Sequence, residues 1–182
     1  SKHRVFVWKS TSVIPENLLV VIARNDDYFF GVLHSKLHEL WARRKGSQLR
    51  EAESGSRYTP TSTFETFPFP WAPSKEPKND PRVRAISQAA KELVEQRDRW
   101  LKPESQVTVT LKVTVTSDEP KAAKKRTLTN LYNQRPTWLD LAHKKLDEAV
   151  FAAYGWKSDL TDEEILEKLL ALNLERSKPK KK

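Results

Sequence analysis

Five prolines fall between positions 68 and 81, at Pro68, Pro70, Pro73, Pro77 and Pro81, and they forbid a continuous helix or ladder across the middle of the chain. A proline lacks the N–H that either would need, so the stretch from Pro68 to Pro77 is expected to wrap over a surface. Phe67, Phe69 and Trp71 lie among the first of these prolines and serve as its anchors. Asp80-Pro81 reads differently, because an aspartate caps free N–H groups and a proline in the first turn gives up no hydrogen bond. The chain is therefore expected to divide into residues 1–79 and a helical part, 80–176, with 177–182 as a disordered basic tail.

In the first part, Val5 to Trp8 and Leu18 to Ala23 are rich in β-branched and aromatic residues and read as strands, the second buried on both faces. Asn25 to Asp27 offers capping chemistry. Phe30, Leu33, Leu37, Leu40 and Trp41 then recur at helical spacing as far as Gly46, which predicts one helix with Lys36, Arg43 and Arg44 on its other side. Residues 47–62 are polar and broken by Gly55 and Pro60, and Thr61 to Phe67 reads as extended.

In the second part, Val83, Ile86, Ala90, Leu93, Val94, Arg97 and Leu101 form one helical stripe, and Leu128, Leu131 and Tyr132 mark a shorter helix ending near Arg135-Pro136. Thr137 with Asp140 can cap a third helix, which buries Leu139, Ala142, Leu146, Ala149, Val150 and Ala153 and stops at Gly155. Thr161 with Glu164 forms a capping box for a last helix with Ile165, Leu166, Leu169, Leu170 and Leu172 as its apolar residues. Gln106 to Thr116 breaks the pattern. It alternates Val107, Val109, Leu111, Val113 and Val115 with polar residues, a strand expected to pair with the N-terminal ones. The expected fold class is α+β, mostly helical, with a small α/β end followed by a helical bundle.

Several kinds of chemistry are excluded or disfavoured. The chain has no cysteine, which removes disulfides, thiolate metal sites and cysteine nucleophiles and fits a cytoplasmic setting. Its apolar runs are too short to span a bilayer. It has no methionine, including at position 1, and is read as a piece of a longer protein. His34 and His38 lie one helical turn apart, but Ser35 stands where a zincin has glutamate and no third ligand is near, so no metal site is assigned. With 4 glycines, phosphate-cradling loops are disfavoured, and no self-contained catalytic set is evident.

The charges are more informative. Thirty-three Lys and Arg against 24 Asp and Glu give a net charge of +9, which favours a polyanion. Arg43, Arg44, Lys45, Gln48, Arg50 and Arg57 are interleaved with Ser47, Ser56, Tyr58 and Thr59. Arginine and amide side chains on a supported connection are what reading base edges over a phosphate background requires. Arg43, Arg44 and Gln48 are the expected contacts to bases. Lys121, Lys124, Lys125 and Arg126 stand near the start of a helix, where the macrodipole disfavours cations and a DNA phosphate would offset the cost. An ordinary solvated face remains the alternative for each cluster. A protein-interaction module, docking through the Pro/aromatic run and the unpaired strand, is the alternative for the whole chain.

The run Tyr28-Phe-Phe-Gly-Val-Leu-His-Ser-Lys-Leu-His-Glu-Leu-Trp41, with Ser56-Arg-Tyr-Thr-Pro60 and Thr63-Phe-Glu-Thr-Phe-Pro-Phe-Pro70, resembles the end of the target-recognition domain of the Type IIL, MmeI-like restriction-modification enzymes and related adenine-specific DNA methyltransferases. Lys125 to Trp138, Leu146 to Trp156 and Leu160 to Leu166 resemble the C-terminal helical region of that family. The resemblance implies a parent enzyme that uses S-adenosylmethionine to methylate the exocyclic amine of adenine in double-stranded DNA. It implies that residues 1–79 are the C-terminal part of a DNA target-recognition domain, with the segment between Trp41 and Phe64 meeting the bases. The family's Asn-Pro-Pro-Tyr type motif is absent here, so the catalytic methyltransferase domain is expected N-terminal to Ser1 and this piece is expected to be non-catalytic.

Overall fold

The computed structural model describes residues 3–16, 19–48, 56–102 and 126–178. Helix α1 (Asp27–His34) starts where the Asp26 carboxylate accepts the Phe29 N–H at 2.8 Å. The single helix expected up to Gly46 is two, because Ser35 interrupts it. The Ser35 hydroxyl donates to Val32 O at 2.7 Å and caps α2 (Lys36–Lys45) by accepting from His38 N. The apolar period runs through this break unchanged, so periodicity alone misses it. Asp147 reaches across from a later helix and accepts the Lys36 N–H at 2.7 Å, which satisfies another free donor of α2.

After α2 comes an antiparallel hairpin of two short strands, β1 (Ser47–Gln48) and β2 (Ser56–Arg57), with Ser47 opposite Arg57 and Gln48 opposite Ser56. It is the only ladder among the described residues, and the expected α/β end is corrected accordingly: the fold is mostly helical. Val5 to Trp8 is not a strand. Its Phe6 N–H donates to His34 Nε2 at 3.2 Å and its Phe6 carbonyl accepts from Arg97 at 3.1 Å, so side chains take the place of a neighbouring strand. Residues 19–23 are likewise unpaired, and Leu19, Val20 and Val21 are exposed, contrary to the expected burial on both faces. The segment Gln106 to Thr116 lies outside the described residues.

Thr61 to Phe67 is also corrected, from extended to a wide helical turn at Pro60–Phe64, in which Glu65 N–H donates back to Pro60 O. The proline wrap follows as anticipated, with Phe67 and Phe69 buried and Phe69 stacked on Phe29. Its carbonyls are taken up by side chains from the C-terminal half. Tyr154 donates to Pro68 O at 2.9 Å, Asn173 to Thr66 O at 2.6 Å, and Arg176 to Phe69 O and Pro70 O.

The helical half consists of α3 (Pro81–Leu101), α4 (Leu128–Gln134), α5 (Thr137–Tyr154) and α6 (Asp162–Ser177). Asp80 caps α3 by accepting from Arg82 N, and Thr161 and Glu164 form the reciprocal capping box of α6. The expected pairing of Thr137 with Asp140 is replaced: Pro136 occupies the cap position of α5 and Asp140 pairs with Arg135. Helix α1 packs on α3 and touches α5, and one apolar cluster runs from Tyr28 through Ile86, Leu93 and Leu146 to Leu169. Gly31 permits this crossing, since a Cβ there would lie 2.7 Å from Ile86 Cγ2. Of the expected apolar face of α6, Ile165 and Leu169 are fully buried, whereas Leu170 is exposed. No helix among the described residues is long and apolar enough to cross a membrane.

Candidate nucleic-acid interface

Helix α2 ends in three consecutive exposed cations, Arg43, Arg44 and Lys45, and Gly46 turns the chain directly into the hairpin. Arg43 is partly committed, since its Nε and Nη2 donate to Glu39 Oε1 at 3.0 and 2.5 Å one helical turn earlier. Lys45 Nζ sits 5.1 Å above the Trp41 ring. Arg44 lines a shallow cavity of about 380 Å³ with Trp41, Lys45, Leu166, Glu167 and Leu170. On the returning strand Arg57 is exposed. Gln48 is placed by its backbone pairing with Ser56. The structure thus gathers Arg43, Arg44, Lys45, Gln48 and Arg57 at the end of α2 and on the hairpin it feeds.

Arg50 and the cations Lys121, Lys124 and Lys125 lie outside the described residues. Arg126 is exposed just before the α4 cap Thr127, and its guanidinium donates to Trp100 O at 3.1 Å and lies 5.5 Å from the Trp100 ring centre. It is anchored on the last turn of α3 rather than on the hairpin.

The hairpin is attached to a dry polar cluster that sequence reasoning did not single out. His38 is fully buried. Its Nδ1 is 2.9 Å from Leu33 O, an atom that can only accept, so Nδ1 carries the proton and Nε2 accepts. Burial holds the imidazole neutral, its pKa lowered to about 3. Tyr58, the residue after β2, therefore donates its hydroxyl to His38 Nε2, at 3.1 Å. Burial pushes the Tyr58 phenol up to about 12, which keeps it a donor. Arg4 lies 5.1 Å over one face of the Tyr58 ring, and Phe6 meets the ring edge-on at 6.1 Å.

One layer deeper, His34 Nε2 accepts from both Phe6 N–H and Arg97, the latter at 3.0 Å. Burial and then the nearby Arg97 charge hold the His34 pKa well below its ordinary value. Arg97 is itself 2% exposed and donates to Phe6 O and, at 3.4 Å, to Tyr132. The Nε2 atoms of both histidines are taken up by donors of the protein, and no group of His, Asp or Glu suited to a metal occurs among the described residues. The signal available in the sequence was the spacing: His34 and His38 fall within the apolar period of Phe30, Leu33, Leu37 and Trp41. The partner that explains His38 is Tyr58, at a distance no helical pattern reaches.

Comparison with known proteins places this region. The family model described as MmeI, target recognition domain, matches residues 4–71, a span that holds the N-terminal arm, α1, α2, the hairpin and the start of the proline wrap. DNA methyltransferase A of Bacillus subtilis (strain 168) is 29% identical over 161 residues, 87% of this chain and 15% of that protein. The solved structure of the Type IIL restriction-modification enzyme MmeI in complex with DNA is similar to this chain over 83% of its length and 16% of MmeI, with 25% identity and a TM-score of 0.59. The chain thus spans about one sixth of the length of either relative. Residues 4–71 are accordingly similar to a target recognition domain of the MmeI type, within a chain that is similar to part of a Type IIL restriction-modification enzyme.

Proposed function

We propose that this chain is the sequence-reading part of an adenine-N6 DNA methyltransferase, alone or fused to a nuclease, acting in the cytoplasm. The observation that carries the reading is the row of exposed Arg43, Arg44 and Lys45 leading into a hairpin with exposed Arg57, inside the stretch matched by the target-recognition model. A hairpin is narrow enough for the major groove, where arginine pairs with guanine and glutamine with adenine, each worth about 1–3 kcal/mol of discrimination. Arg43, Arg44 and Gln48 are assigned to bases. Lys45, Arg50 and Arg57 complete the DNA-facing set, and Lys121, Lys124, Lys125 and Arg126 are assigned to the phosphate backbone.

In this reading residues 1–79 end the recognition domain and 80–176 form the helical domain that supports it. The catalytic domain is a further part of the same polypeptide and supplies S-adenosylmethionine, the methyl donor. This chain itself performs no methyl transfer. Its task is to hold the duplex so that one adenine is presented.

Two measurements test the proposal. Binding of the protein to duplex DNA is expected to weaken steeply with salt through counterion release. Arg44→Ala should lower affinity, and Lys124→Ala should weaken binding at every sequence and flatten the salt slope by about 1. In the whole enzyme, Gln48→Ala or Arg50→Ala should change which sites are methylated more than the turnover, as mapped by sequencing. An unchanged methylation motif in both variants overturns the assignment of this segment to bases. A second reading, docking of another polypeptide, draws on the exposed Val13, Ile14, Leu19, Val20 and Val21 of the N-terminal arm. Salt-independent or absent DNA binding would favour it. The Pro/aromatic run does not support it, since Phe67 and Phe69 are core residues.

A further inference from the structure

Among the described residues the hairpin shows two rungs of ladder, and a two-stranded ribbon standing alone is at best marginally stable in water. Its orientation must come from where its ends are fixed. One fixed point is Gly46. Its N–H donates to Ala42 O at 2.9 Å, and a Cβ on it would stand 2.7 Å from both Ala42 O and Arg57 O, so the backbone of β2 lies directly against the end of α2. The other is Tyr58, whose ring reaches back along the same helix to His38. Gly46 stands eight positions after His38, which at 1.5 Å per residue is roughly 12 Å along the axis. A single attachment leaves a pivot; two attachments this far apart set an angle.

We infer that Tyr58, held by its hydrogen bond to His38, is a positioning residue that sets the angle at which the β1–β2 hairpin meets DNA, and with it the sequence preference. The inference rests on the reading of the hairpin as the DNA-facing element. Three contacts hold the ring: the hydroxyl on His38, Arg4 over one face, and a T-shaped contact with Phe6. Phe6 is fixed in turn through both its N–H and its carbonyl by His34 and Arg97. The buried arginine and two neutral imidazoles thereby help to fix where Arg57 and Gln48 stand.

The test is selection by the whole protein from duplexes randomised at their centre, followed by sequencing, with Tyr58→Phe, Phe6→Leu and the double variant Arg44→Ala/Arg57→Ala. Tyr58→Phe keeps the ring packing and removes one hydrogen bond. Enrichment of the preferred sequence is expected to fall about threefold to tenfold, the range such a bond spans, while affinity averaged over the library falls by less. Equal losses in both quantities would reduce Tyr58 to a purely structural role and overturn the inference. So would unchanged enrichment in a setting where Arg44→Ala/Arg57→Ala weakens binding. If the double variant binds every duplex as the parent does, the DNA reading of the hairpin fails and the inference with it. Should Tyr58→Phe lose its cooperative thermal transition, Phe6→Leu serves in its place, since it retains the backbone bonds to His34 and Arg97. Reduced enrichment there supports the positioning role, and unchanged enrichment overturns it.

Discussion

Replacing Gly31 by alanine pits two effects of known size against each other. Gly31 lies inside α1, where alanine is favoured over glycine by about 0.8–1.0 kcal/mol. It also lies at the crossing of α1 with α3 and α5, and the new methyl would sit 2.7 Å from Ile86 Cγ2 and 3.1 Å from both Ala90 Cβ and Leu146 Cδ1. Carbon atoms in contact prefer about 3.5–4.0 Å, so α1 has to move away from α3. The obstructing methyl of Ile86 branches at its own Cβ, on a helix that packs closely, and cannot swing aside as the tip of a long side chain can. Overpacking of this kind costs about 1–3 kcal/mol. Three contacts at 2.7–3.1 Å to packed side chains put the cost in the upper part of that range, about 2–3 kcal/mol, so the clash wins by about 1–2 kcal/mol once the helical gain is subtracted. In a chain of this size that corresponds to a fall in Tm of roughly 2–8 °C. Thermal melts followed by circular dichroism, with urea midpoints as a check, measure it directly. Ile86→Leu removes the branch at nearly constant volume, so the pair Gly31→Ala/Ile86→Leu should recover part of the loss, with coupling of about 0.5 kcal/mol or more. A Tm equal to or above the parent's in Gly31→Ala would refute the packing argument, because the propensity gain would then have met no opposition.

Two further outcomes follow from the interior. Asp147 accepts from the Lys36 N–H in a half-buried site, and burial raises its pKa to about 7. The native carboxyl binds its proton more tightly than the unfolded one does, so its contribution to stability is greatest below the ordinary carboxylate range and falls as pH rises through about 7. Asp147→Asn keeps an acceptor for Lys36, so urea midpoints across pH 5 to 8 should show the variant gaining on the parent as pH increases; parallel curves would contradict the site's influence. Arg97→Met empties the donor that holds Phe6 O, and tryptic cleavage after the exposed Lys9 should then accelerate about tenfold or more, a bond to a charged group having been lost. Unchanged cleavage would show that the arm is held by its aromatic contacts alone.

What could be read from the sequence was whatever depends on near neighbours. Asp80 before Pro81, and Thr161 three residues ahead of Glu164, form their caps because each bond closes within one turn. The burial of Arg97 was implied by its place in the stripe of Val83, Ile86 and Leu93. The break at Ser35 escaped notice because its hydroxyl acts on both flanking helices while the apolar spacing continues past it. The strands expected at Val5–Trp8 and Leu18–Ala23 did not form in the described residues, since strand propensity needs an adjacent backbone, and His34 and Arg97 occupy that place at Phe6. Leu170 was named among the apolar residues of α6, yet which side of that helix is covered depends on where α2 runs. In the candidate interface the cations were found by type alone. Their mounting on Gly46, His38 and Tyr58 was not, because those contacts join residues up to 20 positions apart.

Every fastening of the hairpin described above sits at its base, where Gly46 and Tyr58 meet α2. Under the proposed role, a change at Gly46, His38 or Tyr58 therefore shifts everything mounted on that base at once, much as a slipped chuck throws the bit it holds out of line.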